Sequence, residues 1–314
     1  MISDISLDRA VGNRQRWRAR RVEMETQRFC NLSPESIEKG RMSPVDYLLP
    51  GATLGLKIAQ LYERGLGNAQ DIRVIEHEVA FDNLPAAFDG YRLLHLTDPH
   101  IDSLPGIEDA ISERIASLRY DACVLTGDYR FRAFGDYGNE VRLPLQQIMS
   151  NIYAPDGVYA TLGNHDTHPA VELLESLGAH VLTNEHVTLR RGSAQITLSG
   201  IDDPHYYYTP HAVDALQQSE EGFKIALVHS PELYQEAADN NYDLYLCGHT
   251  HGGQICLPTG IPILRNLRKG HHLVQGLWQE RQMVGYTSTG CGVSGIPVRY
   301  FSRGEVTVFT LRRR

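Results

Sequence analysis

The chain has 314 residues, of which 42% are hydrophobic and 22% charged, with a formal net charge of -8. This balance is ordinary for a soluble globular protein, and the acidic excess counts against recognition of nucleic acid through a basic patch. It leaves a phosphorylated substrate open, because metal ions in a site reverse the local sign of charge.

The first 70 residues read as a helical amino-terminal extension. Arg9, Arg14, Arg16, Arg18, Arg20 and Arg21 surround Trp17. Val22-Glu23-Met24-Glu25-Thr26-Gln27 follows the arginine pair, where a twin-arginine export signal would need an apolar core. The most apolar stretch, Tyr47 to Tyr62, is interrupted by Pro50, Gly51 and Lys57 and is too short to cross a bilayer. A soluble or peripheral protein is expected. Leu54, Ile58, Leu61 and Tyr62 recur at helical spacing, and basic charge with an apolar stripe suits peripheral contact with a membrane, at its inner face in a cytoplasmic protein. No apolar stripe runs among the arginines themselves, which favours a solvated charged helix followed by a second helix docked on the catalytic domain.

From residue 71 to residue 314 the pattern is β-α-β alternation with a later antiparallel share. Ile72 to Phe81 reads as a strand, and Ile107 to Leu118, Gly138 to Asn151 and Ala170 to Leu177 read as helices. Val187 to Arg190 and Ala194 to Gly200, joined by Arg191-Gly192-Ser193, have the form of a hairpin. Ser230 is placed to cap a helix starting at Pro231, and Gln282 to Ser288 and Glu305 to Leu311 supply closing strands. The expected class is α/β, with two packed mixed β-sheets flanked by helices in a four-layer α-β-β-α sandwich. Five cysteines without paired spacing imply no disulfide framework and favour a reducing cytoplasm.

Polar fragments punctuate this domain in a fixed order: Asp98-Pro99-His100, Gly127-Asp128, Gly163-Asn164-His165-Asp166, His229, and Gly248-His249-Thr250-His251. Each follows a short apolar run that reads as a buried strand, so the strand ends converge on one rim, where open α/β sheets carry their ligands. Imidazoles and carboxylates suit Zn, Fe or Mn, and two such ions about 3.5–4 Å apart clamp the attacking and leaving oxygens of a phosphoryl displacement. One carboxylate must bridge them, and Asp128 is the choice. Gly127, Gly163 and Gly248 lie where a missing Cβ permits unusual turns and close backbone approach.

These fragments resemble the calcineurin-like metallophosphoesterases, whose pattern is D-x-H, G-D, G-N-H-[DE], H and G-H-x-H. His251-Gly252-Gly253-Gln254 and the Gly290 to Arg299 stretch are similar to a bacterial branch that includes phosphodiesterases and hydrolases of UDP-2,3-diacylglucosamine. The resemblance implies one metal held by Asp98, His100, Asp128 and His251, and a second held by Asp128, Asn164, His229 and His249. It implies that His165 is the catalytic histidine, with Asp166 fixing its orientation and tautomer, and that a metal-bridging hydroxide supplies the nucleophile. The cofactors are then two divalent ions, Mn, Fe or Zn.

The expected substrate is a small molecule with a phosphodiester or pyrophosphate bond, lipid-linked if the branch resemblance extends that far. A cyclic-nucleotide or general phosphodiesterase is the alternative within the class, and a catalytically silent scaffold the alternative outside it, although no ligand position is missing. Arg130 or Arg132 is a candidate phosphate contact, with a surface salt bridge as the competing reading. Outside the motifs, His95 reads as a packed, hydrogen-bonded histidine inside a strand. His205, in Asp203-Pro204-His205-Tyr206-Tyr207-Tyr208, is read first as part of a surface loop whose tyrosines pack on the body.

Overall fold

Alternation along the central strands sets the layers, because successive side chains of a strand point to opposite faces. In a computed structural model describing residues 4–30, 48–133, 135, 137–219 and 221–314, Leu93 and Val124 enter one core while Leu94, Cys123 and Leu125 enter another. Phe223, Ile225 and Leu227 face the first of these cores, and Ala226 and Val228 face a third. A sheet with both faces apolar must be covered twice. The first core accordingly lies between two sheets, and the other two lie under helices. The side chain of Arg9, the residue Tyr47, and the helical content expected for 31–47 fall outside the described residues.

The first sheet runs in the order β1 (Arg73–Phe81), β12 (Glu305–Arg313), β2 (Tyr91–Leu96), β3 (Ala122–Leu125), β4 (Val158–Ala160) and β5 (His180–Val181). All its pairs are parallel except β12 with β2. The second runs β10 (Gly276–Glu280), β11 (Met283–Thr287), β9 (Leu244–Cys247), β8 (Phe223–Val228), β7 (Ala194–Ile201) and β6 (Glu185–Arg191), with antiparallel hairpins at both edges. The expected 187–200 hairpin is β6 with β7, and β5 and β10 are further strands that lack a long apolar run.

Among the described helices, α1 (Asp4–Phe29), α2 (Leu49–Ile58) and α3 (Tyr62–Gln70) precede the sheets. The helices α4 (Ile107–Ala116), α5 (Asn139–Ser150) and α6 (Ala170–Ser176) cover the first sheet, and α7 (Pro210–Gln217) and α8 (Tyr234–Asp239) cover the second. This is the expected α-β-β-α sandwich. No described helix is long and apolar enough to cross a membrane. Ser230 does not act as a side-chain cap: a 3₁₀ turn at Pro231–Leu233 precedes α8, and the Ser230 hydroxyl is buried without a partner.

The amino-terminal helices reverse the expectation. The charged helix α1 docks, with Arg21 only 1% exposed. The apolar α2 has no buried residue, and Leu54 and Ile58 are 60% and 75% exposed. The break after Ile58 also puts Leu61 and Tyr62 beyond the helix that carries Leu54. Charge implies solvation for most arginines; Arg21 is the exception because Asp202, Gly163 and Asp166, far along the chain, meet its guanidinium in the interior.

Beneath the rim, His95 is a packed core histidine whose Nε2 lies 2.8 Å from Thr126 Oγ1, and burial pushes its pKa down to about 3. An unfolded histidine takes up a proton near its ordinary value while the folded one does not, so stability is lost as the pH falls below about 6.5. At pH 5 that loss amounts to about 2 kcal/mol. In metal-free protein, His95→Gln is therefore expected to reduce the drop in Tm between pH 8 and pH 5, measured by scanning calorimetry; an unchanged drop would contradict a neutral His95.

Candidate metal centre

The C-terminal ends of β2, β3 and β4 in one sheet and of β8 and β9 in the other open onto a shared rim, so the motif residues come from two sheets. The backbone there is unusual. Asp98, His100, Asp128, His249 and His251 all have positive φ, between 39° and 72°, a region that non-glycine residues visit rarely and mainly where the surroundings enforce it. Two glycines make room for carboxylates. A Cβ on Gly163 would lie 2.2 Å from Asp128 Oδ1, and one on Gly248 would lie 2.1 Å from Asp98 Oδ2.

The side chains gather into two buried triads, Asp98 with His100 and His251, and Asp128 with His229 and His249, and either could hold a metal ion. In the first, His100 Nε2 is 3.1 Å from His251 Nε2, and Asp98 Oδ1 is 3.5 Å from the latter. In the second, His249 Nδ1 is 3.3 Å from His229 Nε2 and 2.7 Å from Asn164 Oδ1. One oxygen, Asp128 Oδ2, stands between them, 3.5 Å from His100 Nε2 and 3.2 Å from His229 Nε2. All seven expected ligand side chains therefore meet.

Backbone carbonyls behind the imidazoles choose which nitrogen faces inward. His100 Nδ1 donates to Arg130 O at 3.0 Å, His229 Nδ1 to Thr126 O at 2.7 Å, and His249 Nε2 to Asn266 O at 2.7 Å. The inward atoms are then Nε2 of His100 and His229 but Nδ1 of His249. Such outer bonds are what orient histidine ligands at metal sites. Lone pairs pointed at one another in a buried space call for a cation, so the donor set fits two ions of the kind that imidazole and carboxylate favour.

The electrostatics agree. Burial pushes the Asp98 carboxyl up. Burial also opposes ionisation of Asp128, but His229 and His165 hold it well below the usual carboxylate range. Burial works against a proton on His229, yet the Asp128 carboxylate outweighs it and raises that ring well above its ordinary value. Burial and neighbouring imidazoles drive His249 and His251 well below theirs, leaving both neutral.

His165 is half-buried beside the triads, its ring 5.0 Å from that of His100. Its Nδ1 donates to Phe131 O at 2.5 Å, and burial lowers its pKa to about 4, so at neutral pH Nε2 carries the lone pair. Asp166 was expected to orient this ring and does not. Its carboxylate accepts instead from the backbone N–H groups of Asp128 (2.7 Å), Gly163 (2.8 Å) and Tyr129 (3.0 Å). It fastens two ligand loops to each other, and the Phe131 carbonyl fixes the imidazole.

The family model described as calcineurin-like phosphoesterase matches residues 91–253, a span that takes in all seven expected ligand positions together with His165 and Asp166. The chain belongs to that family. Among its relatives, the uncharacterized metallophosphoesterase YkuE of Bacillus subtilis (strain 168) is 29% identical, over 77% of this chain and 86% of its own length. YkoQ of the same bacterium, also an uncharacterized metallophosphoesterase, is 30% identical over 76% and 90%. The phosphodiesterase YaeI of Escherichia coli (strain K12) is 32% identical over 76% and 87%. With two buried clusters able to hold metals, this calcineurin-like protein is a metal-dependent phosphoesterase.

Around the centre stand residues that the motifs did not announce. Arg299 is fully buried and donates to the carbonyls of His251 (3.1 Å), Thr289 (2.6 Å) and Gly292 (2.6 Å), holding the His251 backbone. His205 is buried, not superficial: its ring lies 4.4 Å from that of His249 and its Nδ1 is 2.9 Å from Glu232 Oε1. Arg130, a candidate phosphate contact, is buried against the Tyr137 ring and donates to Gly135 O and Thr167 Oγ1, while Arg132 is exposed. Neither packed arginine carried a spacing signal: Arg299 is held by the carbonyls of two loops, and Arg130 by a nearby carbonyl, the Thr167 hydroxyl and an aromatic ring.

The Gly248 contact can be tested. A methyl there must displace Asp98 or the Thr97 side chain, and forced overpacking costs about 1–3 kcal/mol. Gly248→Ala is expected to lower Tm and to reduce the metal retained per chain after gel filtration, measured by plasma mass spectrometry. Unchanged retention would show that Asp98 has space to spare.

Proposed function

We propose that the protein hydrolyses a phosphodiester or pyrophosphate bond in a small molecule. The observation that carries this reading is the pair of buried triads with Asp128 Oδ2 between them. Asp98, His100 and His251 would hold one divalent ion, Asn164, His229 and His249 would hold the other, and the Asp128 carboxylate would serve both. Mn, Fe and Zn all suit that donor set. Two such ions supply Lewis-acid charge for a phosphoryl oxygen and bring the pKa of water toward neutrality.

His165 serves the reaction from outside the ligand set. With Nδ1 tied to the Phe131 carbonyl, its Nε2 takes up a proton as negative charge enters the site and gives it to the departing oxygen. A diester or pyrophosphate is favoured over a phosphoprotein because Gly127-Asp128 is followed by Tyr129-Arg130-Phe131, unlike the family's protein phosphatases, and because one relative is named a phosphodiesterase.

A lipid-linked substrate, with peripheral contact at a membrane face, is the narrower form of this proposal. Its support is an apolar surface near the centre. Leu257, Ile261, Ile263 and Leu264 are 48–63% exposed on the loop that leads to Asn266, whose carbonyl receives His249 Nε2. The exposed side chains of α2 add to it, since Leu49 packs at Gly295 and the Ser294 carbonyl accepts from Gln254 at the base of that loop. The five unpaired cysteines support placing the protein in the cytoplasm.

The test is turnover of bis(p-nitrophenyl) phosphate, p-nitrophenyl phosphate and UDP-2,3-diacylglucosamine by protein loaded with Mn, Fe or Zn. Release of UMP from the last supports the lipid form; turnover of the diester alone supports a cyclic-nucleotide or general phosphodiesterase; silence on all three sinks the hydrolytic reading and leaves a scaffold. His165→Ala is expected to keep both ions and to lose about 10²–10⁴-fold in kcat. Asp128→Asn is expected to lose both ions by calorimetry. Equal metal loss in the two variants would overturn this division of roles.

A further inference from the structure

We infer that helix α1 is a working wall of the active site, and that Arg21 is a positioning residue for the turn Gly163-Asn164-His165-Asp166. What that turn does in the reaction rests on the function proposed above; how α1 holds it does not.

The turn has a demanding task. Two consecutive side chains, Asn164 and His165, must reach different places, one inward to the second triad and the other beside the ligands. Yet the turn lies beyond the end of β4, where no sheet ladder orders its carbonyls. Buried carbonyls need donors. Arg21 Nη2 donates to Gly163 O at 3.2 Å and to Asp166 O at 2.8 Å, and Arg28 Nη1 donates to Asn164 O at 2.6 Å. Glu25 extends the grip by accepting from His168 N at 2.7 Å and lying 2.8 Å from His168 Nδ1. Residues 21, 25 and 28 share one helix face by their spacing of four and three. From the opposite side the Asp166 carboxylate holds the Gly163 and Asp128 amides. The turn is therefore clamped between a carboxylate and a guanidinium.

Arg21 suits this task in a way that lysine cannot. Its Nη1 donates to Asp202 Oδ1, its Nε donates to Glu25 Oε1 at 3.1 Å, and its plane lies over the Tyr207 ring at 3.4 Å, while Nη2 remains for the two carbonyls. One ammonium has neither the reach nor the planar fork to serve all of these. Trp17 Nε1 donates to the other oxygen of Asp202 at 2.8 Å, which pins the helix one turn earlier. By contrast, Arg18 and Arg20 bond exposed carboxylates at the surface. The buried charge of α1 is thus directed at the segment carrying Asn164 and His165.

The experiment uses full-length Arg21→Lys and Arg21→Met, with Arg18→Met, which loses only a surface pair with Glu172, as control. Both Arg21 variants are expected to lose about 100-fold in kcat on bis(p-nitrophenyl) phosphate, the scale of a small misplacement at a reacting centre, with KM nearly unchanged. Calorimetry with Mn alone should show the weaker ion bound about tenfold less tightly. Guanidinium ion at millimolar concentration should restore kcat in a third variant, Arg21→Ala, whose truncated side chain leaves space for it, and do nothing for Arg18→Met. Arg21→Lys keeps the buried charge and stands in should Arg21→Met fail to fold. Wild-type kcat and Mn affinity in Arg21→Lys, or guanidinium that raises Tm without raising kcat, would overturn the inference. If the wild type turns over no substrate, the functional reading fails alone, and weakened Mn affinity in Arg21→Lys still supports the clamp while unchanged affinity sinks it.

Discussion

The Asp166 carboxylate is buried with three backbone N–H groups of two different loops pointing at it, from Asp128, Tyr129 and Gly163. Burial and the nearby Asp128 push its pKa up to about 6, and the amide donors pull against them. Everything at the rim depends on this fastening. It sets Gly163 against Asp128, where only a glycine leaves room for the carboxylate, and so places Asp128 between the two triads. Without it, the loops after β3 and β4 would keep only weaker ties, among them the His165 amide on Asp128 Oδ1 at 2.8 Å and the Tyr129 hydroxyl on Thr161 O at 2.8 Å.

A second constraint follows from the first. Lone pairs brought this close repel unless a positive charge enters, so the fold must hold the ligands in a conformation that the side chains would not choose by themselves. The left-handed backbone at five of the candidate ligand residues is a sign of that enforcement. Carbonyls of Arg130, Thr126 and Asn266 lock the imidazole orientations, and Arg299 ties the His251 segment to the Thr289 to Gly292 loop. The two packed sheets bring these loops together from strands that are far apart in the chain but adjacent at one rim.

The amino-terminal helix shows how charge can serve packing. A buried guanidinium is costly unless each donor has a partner, and removing one partner of such a group typically costs about 3–5 kcal/mol. Arg21 meets that condition with two carboxylates, two carbonyls and an aromatic face. Burial alone would lower its pKa, but Asp202, Tyr207 and Glu25 outweigh that and keep it charged. The neighbouring apolar helix behaves in the opposite way and leaves Leu54 and Ile58 exposed. Composition suggested the reverse, because hydropathy describes an average environment and not the partners that a particular residue meets.

Sequence alone determined the layered α/β class, the candidate metal-binding residues that gather at the rim and the chemistry of their donor atoms. These follow from residue type and from order: an apolar run makes a buried strand, and a polar residue just beyond it must lie at a strand end. Only the tertiary structure decided that the rim belongs to two sheets, that His249 turns Nδ1 inward, that Phe131 and not Asp166 orients His165, and that Arg21 reaches the carbonyls of Gly163 and Asp166. Each of these depends on a contact between groups far apart in the chain, such as Arg21 with Asp202 across 181 positions. Local periodicity carries no record of such a partner, whose position is fixed only when the layers pack.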